Sequence, residues 1–295
     1  MACERVAASL RVNREMLVVL GWGRAILLQF AHPLVAAGVA DHSDFSRARA
    51  GRTRRLMHTV QSFLALTFGN ADECEAAAAR INAIHVRVHG TLKQPAGPFV
   101  AGAPYSAEDP ELLRWVHCTV VDSVMRVYEL IVAPLSVADK DQLCADAATI
   151  EPLLHIPDGF LPRDLGTLDA YLERMQSSGE VVVTDTARLL AHDLLEPPMA
   201  WMARPAFQIL RLFTIGLLPP AIRVGYGYAW TRKDQRALAR RVRLLRGLRR
   251  VLPRVAWEWP AARRSRAAGP PGTREGASAC EGSKDPSLHT ATRRV

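Results

Sequence analysis

The sequence predicts an all-α protein organised as a single domain, and three observations carry that prediction. Apolar residues recur every three to four positions over long windows, and capping residues open those windows while proline or glycine closes them. Strand alternation is scarce, with "EVVVT" at Glu180–Thr184 the main candidate and a short one. A chain of 295 residues, 49% of them hydrophobic, can bury a sizeable core. The domain is expected over residues 10–255, followed by a tail over 256–295. The stretch from Ala261 onward, rich in Pro, Gly, Arg and Ser, has no apolar periodicity and is expected to be disordered.

The elements follow in order. A first helix is expected over about Val12–Ala31, stopped or kinked by Pro33, which lacks an amide and crowds the preceding turn. After the turn "ADHSDF", a second helix should run from near Gly51 to Leu66, with Leu56, Val60, Phe63 and Leu64 inward and Gly69 as its stop. The third begins at Asn70, with Glu73 at capping-box spacing, and should reach Gly90. Its apolar stripe contains Ala77, Ala78, Ile81, Ile84 and Val88. Ser106 and Asp109 form a further box that opens a fourth helix, on which Leu113, His117, Val120, Val124 and Ile131 align. Later helices are expected over Ser136–Leu154, Leu168–Gly179, Thr184–Leu195 and Pro205–Leu218.

Charge is concentrated in one place. The net charge is +9, and the segment Arg232–Arg254 alone holds ten Lys or Arg against one acid, Asp234. Leu238, Val242, Leu245, Leu248 and Leu252 recur there at helical spacing, so the arginines form the wet face of an amphipathic helix. That face is either simply solvated or attracted to anionic lipid. Nucleic acid is not expected as a partner, because no aromatic interleaving or base-reading motif accompanies the charge. Five scattered cysteines without a C-x-x-C pair indicate neither a disulfide framework nor a structural zinc site. The N-terminus shows no secretory pattern, and the longest uncharged run, Ala25–Ala40, is too short to span a bilayer. A cytoplasmic location, peripheral at the membrane if the basic helix binds lipid, is the expectation.

Histidines interrupt the apolar faces. His85 lies four residues after Ile81 and three before Val88, on the inward stripe of its helix, and His117 does the same on the fourth. A single imidazole on such a face is more often a hydrogen-bonded core residue than a ligand. Four of them, His32, His42, His85 and His117, within the first 120 residues tilt the balance toward a site. His85 and His89 have zincin spacing, but Val86 stands where H-E-x-x-H needs glutamate. No G-x-S-x-G elbow, G-x-G-x-x-G or P-loop is present, which removes those enzyme classes.

Taken in order, "GWGRAILLQFAHPLVAAGVADHSDF", the R-x-x-x-T of "RLMHT", "FG", "INAIHVRVHG", "YSAEDPELLRWVHCTVVDS" and "LFTIGLLPPAIR" closely resemble the latex-clearing (rubber oxygenase) and MpaB oxygenase family, over about Gly21–Trp230. The resemblance implies a globin-like helical core with additional helices, holding one haem b. It also implies oxidative cleavage of a carbon–carbon double bond in an apolar, isoprenoid-like substrate by dioxygen. His85 matches the proximal ligand of the haem iron, while Arg55 and Thr59 match the pair on the distal helix. Thr59 would there position oxygen, and Arg55 would pair with a propionate. His117 and His32 are further candidates for the cofactor pocket.

Departures from the pattern matter. His58 stands where the rubber enzymes have a lysine able to cap the iron, and is a candidate catalytic or capping residue in its place. The catalytic glutamate of those enzymes has no clear counterpart; Asp44 and His42 are the nearest residues. The rubber enzymes are secreted, which makes rubber an unexpected substrate here. Two other classes stay open: a non-catalytic haem-binding or redox-sensing protein, and a lipid-surface protein whose histidines are structural.

Overall fold

In the computed structural model, which describes residues 2–42, 49–196 and 204–268, the 22-residue helix α6 (Pro110–Ile131) is the axis around which the rest packs. Asp109 caps it, accepting from the Glu111 amide at 2.9 Å, and Pro110 fills the first turn, where no amide donor is needed. Ser106, expected in that role, lies instead in a strand, and its hydroxyl accepts from the Glu108 amide at 3.1 Å.

The first expected helix is three pieces: α1 (Ala2–Asn13), a 3-10 segment over Met16–Gly21, and α2 (Trp22–Phe30). The break is caused by Glu15, whose backbone is extended and bridges Glu258, while its buried carboxylate accepts from Arg249 at 2.7 and 3.2 Å. Pro33 then opens α3 (Pro33–His42) after a bend of 101°. No single helix among the described residues is long and apolar enough to cross a membrane.

The hairpin α4 (Arg49–Phe68) and α5 (Ala71–His85) follows, then two three-residue strands, β1 (His89–Thr91) and β2 (Pro104–Ser106), paired antiparallel with Gly90 opposite Tyr105. After α6 come α7 (Val137–Ala148), a 3-10 turn at Pro152–Leu154, α8 (Leu165–Ser177) and α9 (Asp185–Leu195). The chain continues through α10 (Arg204–Gly216), α11 (Pro220–Gly225), α12 (Arg232–Val251) and α13 (Pro260–Ala268). Helix α13 lies beyond residue 255. The Met16 amide donates to the Trp257 carbonyl at 2.7 Å, so the segment after α12 is tied to the N-terminal turn.

"EVVVT" forms no strand. Val181 and Val183 are buried and Val182 is exposed, so its period-two pattern belongs to an extended segment lying on the helical core.

The main core joins α2, α6, α8 and α9 through Leu27, Leu28, Trp115, Met125, Leu168, Leu172, Leu190 and Leu195. Helices α2 and α10 approach so closely that a Cβ at Gly23 would lie 2.1 Å from Thr214 Oγ1. At this contact Arg24 is buried and fully paired: it donates to Asp122 at 2.7 Å, Ser123 Oγ at 2.6 Å and the Leu217 carbonyl at 2.8 Å. A second cluster, with Phe213, Leu238 and Val242 against Val127 and Ile131, seats α12 on α6 and α10.

Candidate functional site

His85 is the last residue of α5, and both ends of that helix are fixed by sequence. At the start Asn70 and Glu73 make a reciprocal capping box, with donor–acceptor distances of 2.9 and 3.0 Å. At the end Val86 bonds back to the Asn82 carbonyl, and Val88 to that of His85 at 2.9 Å, before the chain enters β1. Helix α5 thus stops before Gly90, because Gly90 is needed in the strand pair: a Cβ there would lie 2.6 Å from Tyr105 Oη. The same hydroxyl donates to Asp41 at 2.9 Å, and Asp41 also pairs with Lys93. His85 therefore sits between a capped helix and an anchored hairpin.

The imidazole of His85 is half-buried and makes no hydrogen bond among the described residues. Burial pushes its pKa below the usual histidine value, partly opposed by Glu108, so the ring is neutral at physiological pH. Of its neighbours on the expected inward stripe, Ala77 and Ala78 are buried, whereas Ile84 is exposed, as is the adjacent Val86. The stripe is buried at the middle of the helix and leaves apolar side chains open around His85.

His117 comes to the same region by another route. It is half-buried on α6, and burial pushes its pKa down to about 4, against the opposing charge of Glu151. Glu151 is buried and accepts from the Leu161 amide at 2.7 Å, the Gly159 amide at 3.2 Å and Arg163 at 2.5 Å. The adjoining 3-10 turn meets α5, where Asn82 donates to the Leu153 carbonyl at 2.9 Å, one helical turn before His85. Segment 151–154 thereby joins the surroundings of both histidines. Nothing in the sequence marked Glu151 or Asn82 for this role, since each acts on segments distant along the chain.

Helix α4 lies beside α5, and Trp22 of α2 packs edge-on against Phe63 at 4.8 Å between ring centroids. His58 and Thr59 are exposed on α4. Arg55 belongs to the same helix, but its side chain lies outside the described residues. At about 1.5 Å per residue from the Gly69–Asn70 turn, Arg55 stands roughly level with His85 on the paired helix, with Thr59 one turn nearer the loop.

His32 lies elsewhere, at the bend between α2 and α3. It is buried, with its ring centroid 5.3 Å from that of Phe99; its Nδ1 has no partner, and burial lowers its pKa to about 4. His42, at the end of α3, places Nε2 3.0 Å from the His89 carbonyl. A carbonyl only accepts, so Nε2 carries the hydrogen, and in the neutral ring the lone pair of a base is then on Nδ1. Asp44 lies outside the described residues.

Among the described residues no three His, Cys, Asp or Glu side chains converge. What the site offers a metal is one imidazole at a time. That donor set suits an iron already held by a porphyrin, which needs a single axial ligand and apolar surroundings, and the unbonded His85 ring flanked by open apolar side chains fits it.

The fold and site define a single-domain helical protein in which a neutral histidine stands at the end of a rigid helix. Residues 10–251 match the model of the ER-bound oxygenase mpaB/B'/rubber oxygenase catalytic domain, and the chain belongs to that family. Membership supports an oxygenase role. No curated protein and no solved structure matches the chain.

Proposed function

We propose that the protein is a haem b-dependent oxygenase that cleaves a carbon–carbon double bond in an apolar, isoprenoid-like substrate with dioxygen. The observation that carries this reading is the His85 imidazole: neutral, without a hydrogen bond among the described residues, and fixed between α5 and the β1–β2 hairpin. A metal ligand must present an unprotonated nitrogen, and burial secures that form. Haem b, when bound, supplies the redox-active iron at which dioxygen is activated.

The chain's own residues have distinct tasks. His85 would hold the iron. Arg55 would pair with a propionate, which a guanidinium meets through two parallel hydrogen bonds. Thr59 and His58, accessible on α4, would orient the reacting oxygen and hold a proton beside it. His117, kept neutral by burial, would border the pocket without adding charge, which favours an apolar substrate. His42 Nδ1 would serve as the base that the missing glutamate provides elsewhere in the family.

The test is the optical spectrum of protein purified after haem supplementation. A Soret band at one haem per chain, lost in His85→Ala while far-UV circular dichroism is unchanged, is the expected result. A colourless wild type, or a His85→Ala variant with full haem and an identical spectrum, refutes the assignment. Oxygen uptake with an added polyisoprenoid, giving two carbonyl products, separates an oxygenase from a haem-binding sensor.

A further inference from the structure

Helix α12 carries two apolar stripes, and only one is used by the fold. Leu238 and Val242 are buried on α6 and α10, Leu245 packs beside them, and Arg249 on the same side is paired with Glu15. Turning about 100° per residue places Leu244, Leu248 and Val251 together on another face. They are exposed, from 40% for Leu248 to 83% for Val251, and the stripe continues past the helix in exposed Leu252 and Val255. Such a row costs solubility unless something covers it.

Charge identifies the occupant. The outward stripe is edged by Arg240 and Arg241 and followed by Arg250 and Arg254, none of which has an ion-pair partner among the described residues. Beside Arg250 and Arg254 opens a crevice of about 400 Å³, also lined by Leu252 and Trp257. The Trp257 indole N–H finds no acceptor there. The two acids in the crevice wall are already engaged: Glu15 by Arg249, and Glu258 by Arg14 at 3.7 Å. Apolar side chains interleaved with unpaired guanidinium groups match a surface that is apolar below and anionic at its edge.

We propose that this outward face of α12 docks the protein on an anionic lipid bilayer. Leu244, Leu248 and Val251 enter the headgroup boundary, Arg240 and Arg241 meet lipid phosphates, and the crevice at Arg250, Arg254 and Trp257 receives one headgroup phosphate. The inference is independent of haem and of His85, since it rests on α12 and the segment that follows it.

The experiment is co-sedimentation of the full chain with phosphatidylcholine vesicles, with and without phosphatidylglycerol. Binding is expected only with the anionic lipid, and it should fall steeply as salt screens the arginines. Arg240→Gln/Arg241→Gln should weaken binding about 30-fold, because each basic residue near the surface contributes about fivefold. Leu248→Glu/Val251→Glu should weaken it about tenfold or more while leaving the circular dichroism unchanged, as both side chains are exposed. Equal binding to both vesicle types, no binding, or binding indifferent to Leu248→Glu/Val251→Glu overturns the proposal. So does tighter binding to duplex DNA than to vesicles, which would make the face a nucleic-acid surface. Binding that appears only after truncation at Ala268 also overturns it, since the tail would then be the occupant.

Discussion

Acidification should unfold this protein in a way that two histidines account for. His32 and His117 are held near pKa 4 by burial, against 6.5 for a free imidazole. The sign follows from proton binding: below 6.5 the unfolded chain takes up protons that the folded state refuses until about pH 4, so folding weakens as pH falls through that window. Above 6.5 both states are neutral and neither residue contributes. At about pH 4.5 each histidine should have cost about 2.5 kcal/mol, from some two pH units of one-sided protonation at 1.36 kcal/mol each. Two such losses are comparable to half the stability of an ordinary domain. Urea unfolding at neutral pH and at about pH 4.5 measures the loss; carboxylates add to it, so the informative quantity is the difference between variants. His32→Leu/His117→Leu, close in volume and unable to titrate, should lose about 5 kcal/mol less than wild type over the same interval. An acid loss equal to that of wild type would refute the reasoning, because it would mean the two rings can be protonated inside the folded protein.

Two further perturbations probe the supports of the site. Glu151→Ala should destabilise by about 3 kcal/mol in urea titrations, since the Leu161 and Gly159 amides lose their acceptor while half-exposed Arg163 can turn to water; Glu151→Gln, which still accepts, should cost about half as much, and equal costs would contradict this account. Gly90→Ala should cost about 1–3 kcal/mol by driving Tyr105 from its bond with Asp41, and an unchanged thermal midpoint would show that the hairpin yields without loss.

Local chemistry was the legible part of the fold. Asn70 with Glu73 opens α5 as its spacing predicts, and Leu238 with Val242 turns the basic helix inward, because caps and periodicity act within a few residues. Two expectations failed where a distant partner decides. Glu15 breaks the first helix because Arg249 and Glu258, more than 230 residues away, hold it. Ser106 leaves its capping position because β1 takes that stretch as a strand. At the site, periodicity placed His85 and His117 on inward faces. The link between them, through Glu151, Pro152–Leu154 and Asn82, joins residues 71 positions apart and has no local signature.

The proposed role of His85 suits its place at the end of the helix. Within α5 an imidazole could bond to a carbonyl or pack among alanines, and either would occupy the nitrogen that a ligand needs. At the last residue the helix still fixes the backbone, through Val86 to Asn82 and Val88 to His85, while the turn toward β1 leaves the ring without a partner. Rigidity is then supplied from outside the helix: Gly90 admits Tyr105, Tyr105 is held by Asp41, and Asn82 is held by the Leu153 carbonyl. A ligand atom is useful in proportion to how little it must reorganise on binding. These three anchors fix the chain on both sides of His85 while spending none of its own hydrogen-bonding capacity.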